Sequence, residues 1–280
     1  MQTSEIFSEL DKFGLAEITK NIDINKIFPE LDSFKPQAPT PTEPPTEQTA
    51  DSAATFVEKD YLYPKKMQCP LCNSEVQATG VRETRIRMEQ VEVDLHVKSK
   101  PLDPLYYDIV ICKCGYTTTK NMFTEPISDT QKKLILQNIT PHFKNVDYPQ
   151  KLTVAMAIER YKLALLNTII RETSMGEKAY FCMKLAWLSR VNSDIASRNN
   201  FAKLAISAYK TALAQEKLPI MSLSDDTILY IMAAFYSFLE DYEESLKLLS
   251  TVVVSKTASD KLKDRARDLK VDINTYKNPH

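Results

Sequence analysis

Glycine is scarce, four in 280 residues, and so are histidine, with three, and tryptophan, with one. Loops that cradle phosphate need several glycines at fixed spacing, and none of these four is so placed. The chain also has no His-Glu-x-x-His pair and no nucleophile elbow, so the familiar hydrolase and metalloprotease constellations are excluded. No run approaches the roughly 20 apolar residues that a bilayer-spanning helix needs. Ile6, Phe7, Glu9 and Leu10 alternate apolar and acidic near the start, with no basic opening, apolar run or small-residue cleavage site. A secretory signal is therefore not expected, and the expected location is a reducing cytoplasm with no membrane attachment.

Cysteine is nearly as rare, with five, but four of the five are paired. Cys69-Pro70-Leu71-Cys72 and Cys112-Lys113-Cys114-Gly115 flank a 39-residue insert. Two tight turns that each present two thiolates meet the tetrahedral demand of Zn²⁺, so Cys69, Cys72, Cys112 and Cys114 are the expected metal ligands. Four sulfurs close the coordination shell and leave no position for water, which makes the expected zinc structural rather than catalytic. His96, within the insert, reads as an ordinary strand residue, and Cys182, alone on a helix, as a small core residue.

Charge is near balance overall, at −1, but unevenly spread. Residues 1–59 carry 5 basic and 11 acidic side chains, whereas residues 126–280 carry 22 and 17. The acidic segment reads as a solvated arm, although the opposite sign of the C-terminal part could draw it back. Within it, residues 1–35 hold a short amphipathic segment, with Ile6, Leu10 and Phe13 on one stripe and Gly14 as a stop. That segment suits a docking peptide that folds on a partner, or else a frayed terminus. Residues 36–58 are rich in Pro, Thr and Glu and read as a disordered linker.

From residue 59 to 125 the pattern is β-rich. Expected strands cover 75–78, 84–88, 91–97 and 106–112, with period-two alternation along 85–95 that signals a half-buried strand or hairpin. Cysteine knuckles at the ends of such strands make a zinc ribbon. From 126 to 280 the texture is helical, with expected helices at 127–138, 150–172, 175–191, 194–216, 224–239, 241–254 and 257–275. An Ala-x3-Tyr-x2-Ala signature recurs at Ala157, Tyr161, Ala164 and at Ala205, Tyr209, Ala212, with a degenerate copy at Ser245, Leu249, Val252. Small residues on one helix face admit a close neighbour, the packing of a tetratricopeptide-like antiparallel repeat. The expected fold class is α+β, mostly α.

The run from Pro104 to Tyr116, with Cys69-Pro70-Leu71-Cys72, Arg82 to Arg87 and Lys184-Leu185-Ala186-Trp187-Leu188, resembles the bacterial family called domain of unknown function 2225. The resemblance covers roughly residues 61–275. It implies a zinc ribbon followed by tetratricopeptide-like helices, and no established activity. That family usually has Cys-Pro-x-Cys-Gly at both knuckles. Here Asn73 follows the first, and Asn tolerates left-handed backbone; the second is shortened to Cys112-x-Cys114.

These readings point to a non-enzymatic interaction scaffold that binds a protein or peptide partner. The alternative is a nucleic-acid-binding regulator, with Arg85 and Arg87 on phosphates and Tyr106, Tyr107 and Tyr116 able to stack. Against it, the ribbon segment carries equal numbers of acidic and basic side chains, and tyrosines so placed more often cover the metal site and the ribbon–helix junction. An enzyme would instead need a polar pocket with convergent titratable groups between ribbon and helices.

Overall fold

The computed structural model describes residues 3–34 and 58–277. The linker expected at 36–58 thus lies almost wholly outside the described residues. The chain opens with α1 (Thr3–Phe7), a 3-10 stretch (Ser8–Phe13), α2 (Ala16–Lys20), α3 (Ile24–Ile27) and a 3-10 turn (Leu31–Ser33). Gly14 ends the first unit as expected, at φ 76. That left-handed backbone suits glycine, and a Cβ there would strike the carbonyl of His142.

After α4 (Glu58–Tyr61) come three antiparallel pairs: β1 (Leu62–Gln68) with β2 (Glu75–Val81), β3 (Arg87–Val91) with β4 (Val97–Lys100), and β5 (Ile109–Ile111) with β6 (Thr117–Thr119). The alternation along 85–95 resolves as one arm and the turn of the β3–β4 hairpin. Glu83–Arg85 is a 3-10 turn rather than strand, and the strand expected at 91–97 stops at Val91. Asp94 and His96 turn inward there, and Leu95 sits at φ 67. The strand expected from 106 starts only at Ile109. Asp103 caps a 3-10 turn over Pro104–Tyr107 by accepting the Leu105 N–H at 2.9 Å, and proline at the first position favours that turn.

The helices follow the sequence pattern closely: α5 (Lys120–Phe123), α6 (Asp129–Asn138), α7 (Val154–Ile170), α8 (Met175–Val191), α9 (Ile195–Gln215), α10 (Asp225–Phe238), α11 (Tyr242–Val254) and α12 (Asp260–Lys277). Ser128, Thr153, Ser174, Asp194, Ser224 and Asp241 cap six of them by accepting backbone N–H bonds with their side chains. From α7 to α12 each helix packs on the next. All nine positions of the recurring signature are buried, as is Cys182.

Residues 3–34 correct the expectation of a free arm. Ile6, Phe7, Leu10, Phe13, Leu15, Ile24 and Phe28 are buried in the same core as α7, α8 and α9. Lys162, itself buried, donates to Glu9 at 2.5 Å, Lys12 pairs with Glu159, and Lys210 pairs with Glu30 at 3.3 Å. The Ser207 hydroxyl donates to the Pro29 carbonyl at 2.5 Å. Residues 3–34 of the acidic segment do fold back onto the basic part of the chain. Seven apolar side chains outweigh the tail-like composition, because their burial is worth far more than exposed ion pairs.

Candidate metal centre and its surroundings

Each cysteine pair is set by a tight turn at the end of a hairpin. In the first, Cys69 N–H donates to Ser74 O and Asn73 N–H to Cys69 O, both at 3.0 Å. Asn73 stands at φ 56, the left-handed backbone for which Asn substitutes for the family's glycine. In the second, Cys112 N–H donates to Tyr116 O at 2.9 Å and Gly115 N–H to Cys112 O at 2.8 Å. Gly115 is at φ 88, and a Cβ there would meet Ile139 and Phe143 on the segment after α6.

The turns bring all four sulfurs together. The Sγ atoms of Cys69, Cys72, Cys112 and Cys114 lie within 4.8 Å of one another, close enough to hold a metal ion. Cys69 and Cys114 sulfurs are 3.7 Å apart, and those of Cys72 and Cys112 are 3.5 Å apart. A tetrahedron with Zn–S of about 2.3 Å has edges of about 3.8 Å, so the donor set fits such an ion even with the shortened second knuckle. Crowding makes the thiols unequal. Hydrogen bonds from Cys112 and Cys114 hold Cys69 down at about 2. A bond from Cys114 lowers Cys112, but the Cys69 thiolate and burial outweigh it and push Cys112 up to about 12. Cys114 is pushed up by its bonds with Cys112 and Cys69. Four negative sulfurs at this spacing require a cation to offset their repulsion.

The helical part grips this centre through polar groups that sequence reasoning did not single out. Asn167, buried in α7, accepts the Thr117 N–H at 3.2 Å and donates to Gly115 O at 3.2 Å. The Thr140 hydroxyl donates to Cys114 O at 2.8 Å. Arg160 donates to the carbonyls of Tyr106 and Ile109. An Asn inside the largely apolar stretch from Leu163 to Ile170 was the available signal. Replacing Asn167 with Ala leaves the buried Thr117 N–H without its partner and leaves Gly115 O only the Thr117 hydroxyl, which costs about 1–3 kcal/mol. The expected result is a lower chemical-denaturation midpoint with unchanged metal content, read by urea titration and elemental analysis.

The tyrosines divide. Tyr107 and Tyr116 are buried, at 2% and 1% exposure, and cannot stack on an outside base or peptide. Tyr107 accepts the Leu152 N–H at 3.2 Å, while Tyr116 packs on Phe123 and lies under Arg171. Both are packed inside the ribbon and its junction with the helices. Tyr106 is partly buried in that junction. Arg85 lies 3.6 Å from Asp60, and Arg87 is exposed on β3 opposite Lys100.

His96 is 2% exposed and belongs to a polar tie rather than to the metal. Its Nδ1 accepts from Arg190 at 3.3 Å, so Nε2 carries the proton and meets Asp103 at 2.8 Å. Arg190 also donates to both oxygens of buried Asp94, at 2.9 and 3.1 Å, and the His96 ring stacks on Trp187. The insert between the knuckles is thereby fastened to α8. Between them lies a cavity of about 460 Å³ with His96, Asp103, Asp108, Lys120, Lys184 and Trp187 in its walls. This is a polar pocket at the place where an enzyme would need one.

The family model described as an uncharacterized protein conserved in bacteria, domain of unknown function 2225, matches residues 62–273. No curated protein and no solved structure matches the chain.

Proposed function

The chain belongs to the bacterial family of domain of unknown function 2225, and from that premise we propose that it is a protein-interaction scaffold stapled by a structural zinc ion. The observation that carries the proposal is the way α7, α9 and α10 hold residues 3–34. Phe7, Phe13 and Phe28 are buried among helices whose lysines pair with Glu9 and Glu30, and Phe34 packs against Tyr236. A helical array that takes an apolar, acidic segment of its own chain has the chemistry to take similar segments elsewhere on its surface. Tetratricopeptide-like stacking of α7 to α12 fits the buried small-large-small signature.

In this reading the zinc is a cross-link. Cys69, Cys72, Cys112 and Cys114 fill its shell, so it holds the two knuckles together and leaves no coordination position for a substrate. Crosslinking capture of the full chain in bacterial cells is expected to return the same protein partner repeatedly, at a yield that high salt does not reduce. Nucleic acid that co-purifies and leaves at high salt would support the rival binder instead. Repeated capture with neither outcome would sink the scaffold reading. The junction cavity favours a second reading, a small-molecule site.

A further inference from the structure

The cavity between ribbon and helices goes beyond the scaffold reading and does not depend on it. Two of its three carboxylates, Asp103 and Asp108, are already engaged, and the third, Glu83, is exposed. Asp103 accepts from the Leu105 N–H at 2.9 Å and meets His96 Nε2 at 2.8 Å, and Asp108 accepts from the Tyr161 hydroxyl at 3.3 Å. Its ammonium groups are not matched in the same way. Among the described residues neither Lys184 nor Lys120 has an ion-pair partner, and Lys120 donates only to the Thr79 carbonyl, at 3.0 Å. Lys184 lies over two rings of its own helix, 4.1 Å from Trp187 and 5.0 Å from Tyr180. Among the described residues the buried indole N–H of Trp187 has no hydrogen-bond partner.

Ring faces attract an ammonium but replace only part of its lost hydration. Burial pulls Lys184 down to about 8, and Asp108 and Asp103 restore only part of the shift. Near pH 7.5 about a quarter of such amines are uncharged, against about 0.1% of ordinary lysines. An uncharged amine in a cavity that a second lysine, Lys120, also lines is equipped to condense with a carbonyl group whose neighbour is anionic.

We propose that this cavity binds a small 2-oxo acid, with Lys120 holding its carboxylate and Lys184 forming an imine with its carbonyl carbon. The Lys184 Nζ lone pair attacks that carbon, and the carbonyl π pair moves to oxygen. Transfer of one proton from nitrogen to oxygen gives a neutral carbinolamine. Its hydroxyl takes a proton from solvent and departs as water, leaving a protonated imine on Lys184.

The test uses the full chain, with its metal, and pyruvate as the probe. Cyanoborohydride reduces any imine, and peptide mass spectrometry locates the adduct. The expected result is modification of Lys184 at least tenfold faster than of surface lysines, with a rate that saturates as pyruvate rises. Lys184→Gln removes the adduct. Lys120→Gln raises the half-saturating pyruvate concentration at least tenfold but leaves trapping of glycolaldehyde, which has no carboxylate, unchanged. Adducts spread evenly over surface lysines, or a Lys184 rate that stays linear in pyruvate, would overturn the proposal. An unchanged half-saturation in Lys120→Gln would overturn the assignment to a 2-oxo acid. Should Lys184→Gln fail to fold, the location and saturation of the adduct in the natural chain decide the matter.

Discussion

Replacing Cys69 and Cys72 together by Ser is expected to abolish metal uptake and to lower the thermal transition of the whole chain by about 10 °C or more. Two thiolates cannot hold zinc against competing cellular ligands. Apparent binding free energies of structural zinc are about 10–16 kcal/mol, comparable to the entire stability of a typical domain. The ribbon's three ladders have two strands each, so it keeps its fold by this cross-link together with its packing on the helices. The effect spreads because the second knuckle is also a docking element. Gly115 sits against Ile139 and Phe143, and Asn167 and Thr140 bond to its backbone. When the knuckle loosens, those buried polar groups lose their partners. Elemental analysis beside calorimetry checks the result. Full metal content in the double variant, or a transition unchanged by loss of metal, would refute the assignment of these sulfurs as a staple.

Removal of residues 1–34 carries the other large effect. A detachable tail would leave the helical part intact, whereas this segment contributes seven buried apolar side chains to the main core. Truncating a single buried Leu or Phe costs about 2–5 kcal/mol, so removing all seven exceeds what a domain of this size can lose. The expected outcome is loss of the cooperative transition, with aggregation through the uncovered faces of α7 and α9. A milder version is Phe13→Ala. Phe13 stacks on Phe143 at 6.0 Å and is fully buried, so a loss of about 3–5 kcal/mol is expected. Urea titration reads both. A truncated chain that unfolds cooperatively at the original midpoint would show that residues 3–34 are a ligand of the fold and not part of it.

The helices and the cysteine cluster were legible in the sequence because their determinants are local. Periodicity of 3.6, Ser, Thr and Asp caps and a near absence of glycine mark α6 to α12, and two short cysteine spacings mark the knuckles. Asn73 even announces its left-handed turn. What stayed hidden depends on contacts between distant segments. Ile6, Leu10 and Phe13 form the same stripe whether they pack inside or wait for a partner, and composition cannot separate the two. Asp94 and His96 look like members of an alternating strand until Arg190, on a helix almost a hundred residues later, draws them inward. The cavity is hidden for the same reason: Asp103, Lys120 and Lys184 come from three elements, and only docking of ribbon on helices places them together.

The embrace of α7 and α9 by the first residues also orders events at the ribosome. Glu9 meets Lys162 across 153 residues, and Pro29 meets Ser207 across 178. At about 5–20 residues per second, Pro29 is made roughly 10–35 s before its partner. Phe7, Phe13 and Phe28 are thus made well before α7 and α9, the helices on which their segment packs. The first segment therefore cannot complete its packing until α9 has been synthesised.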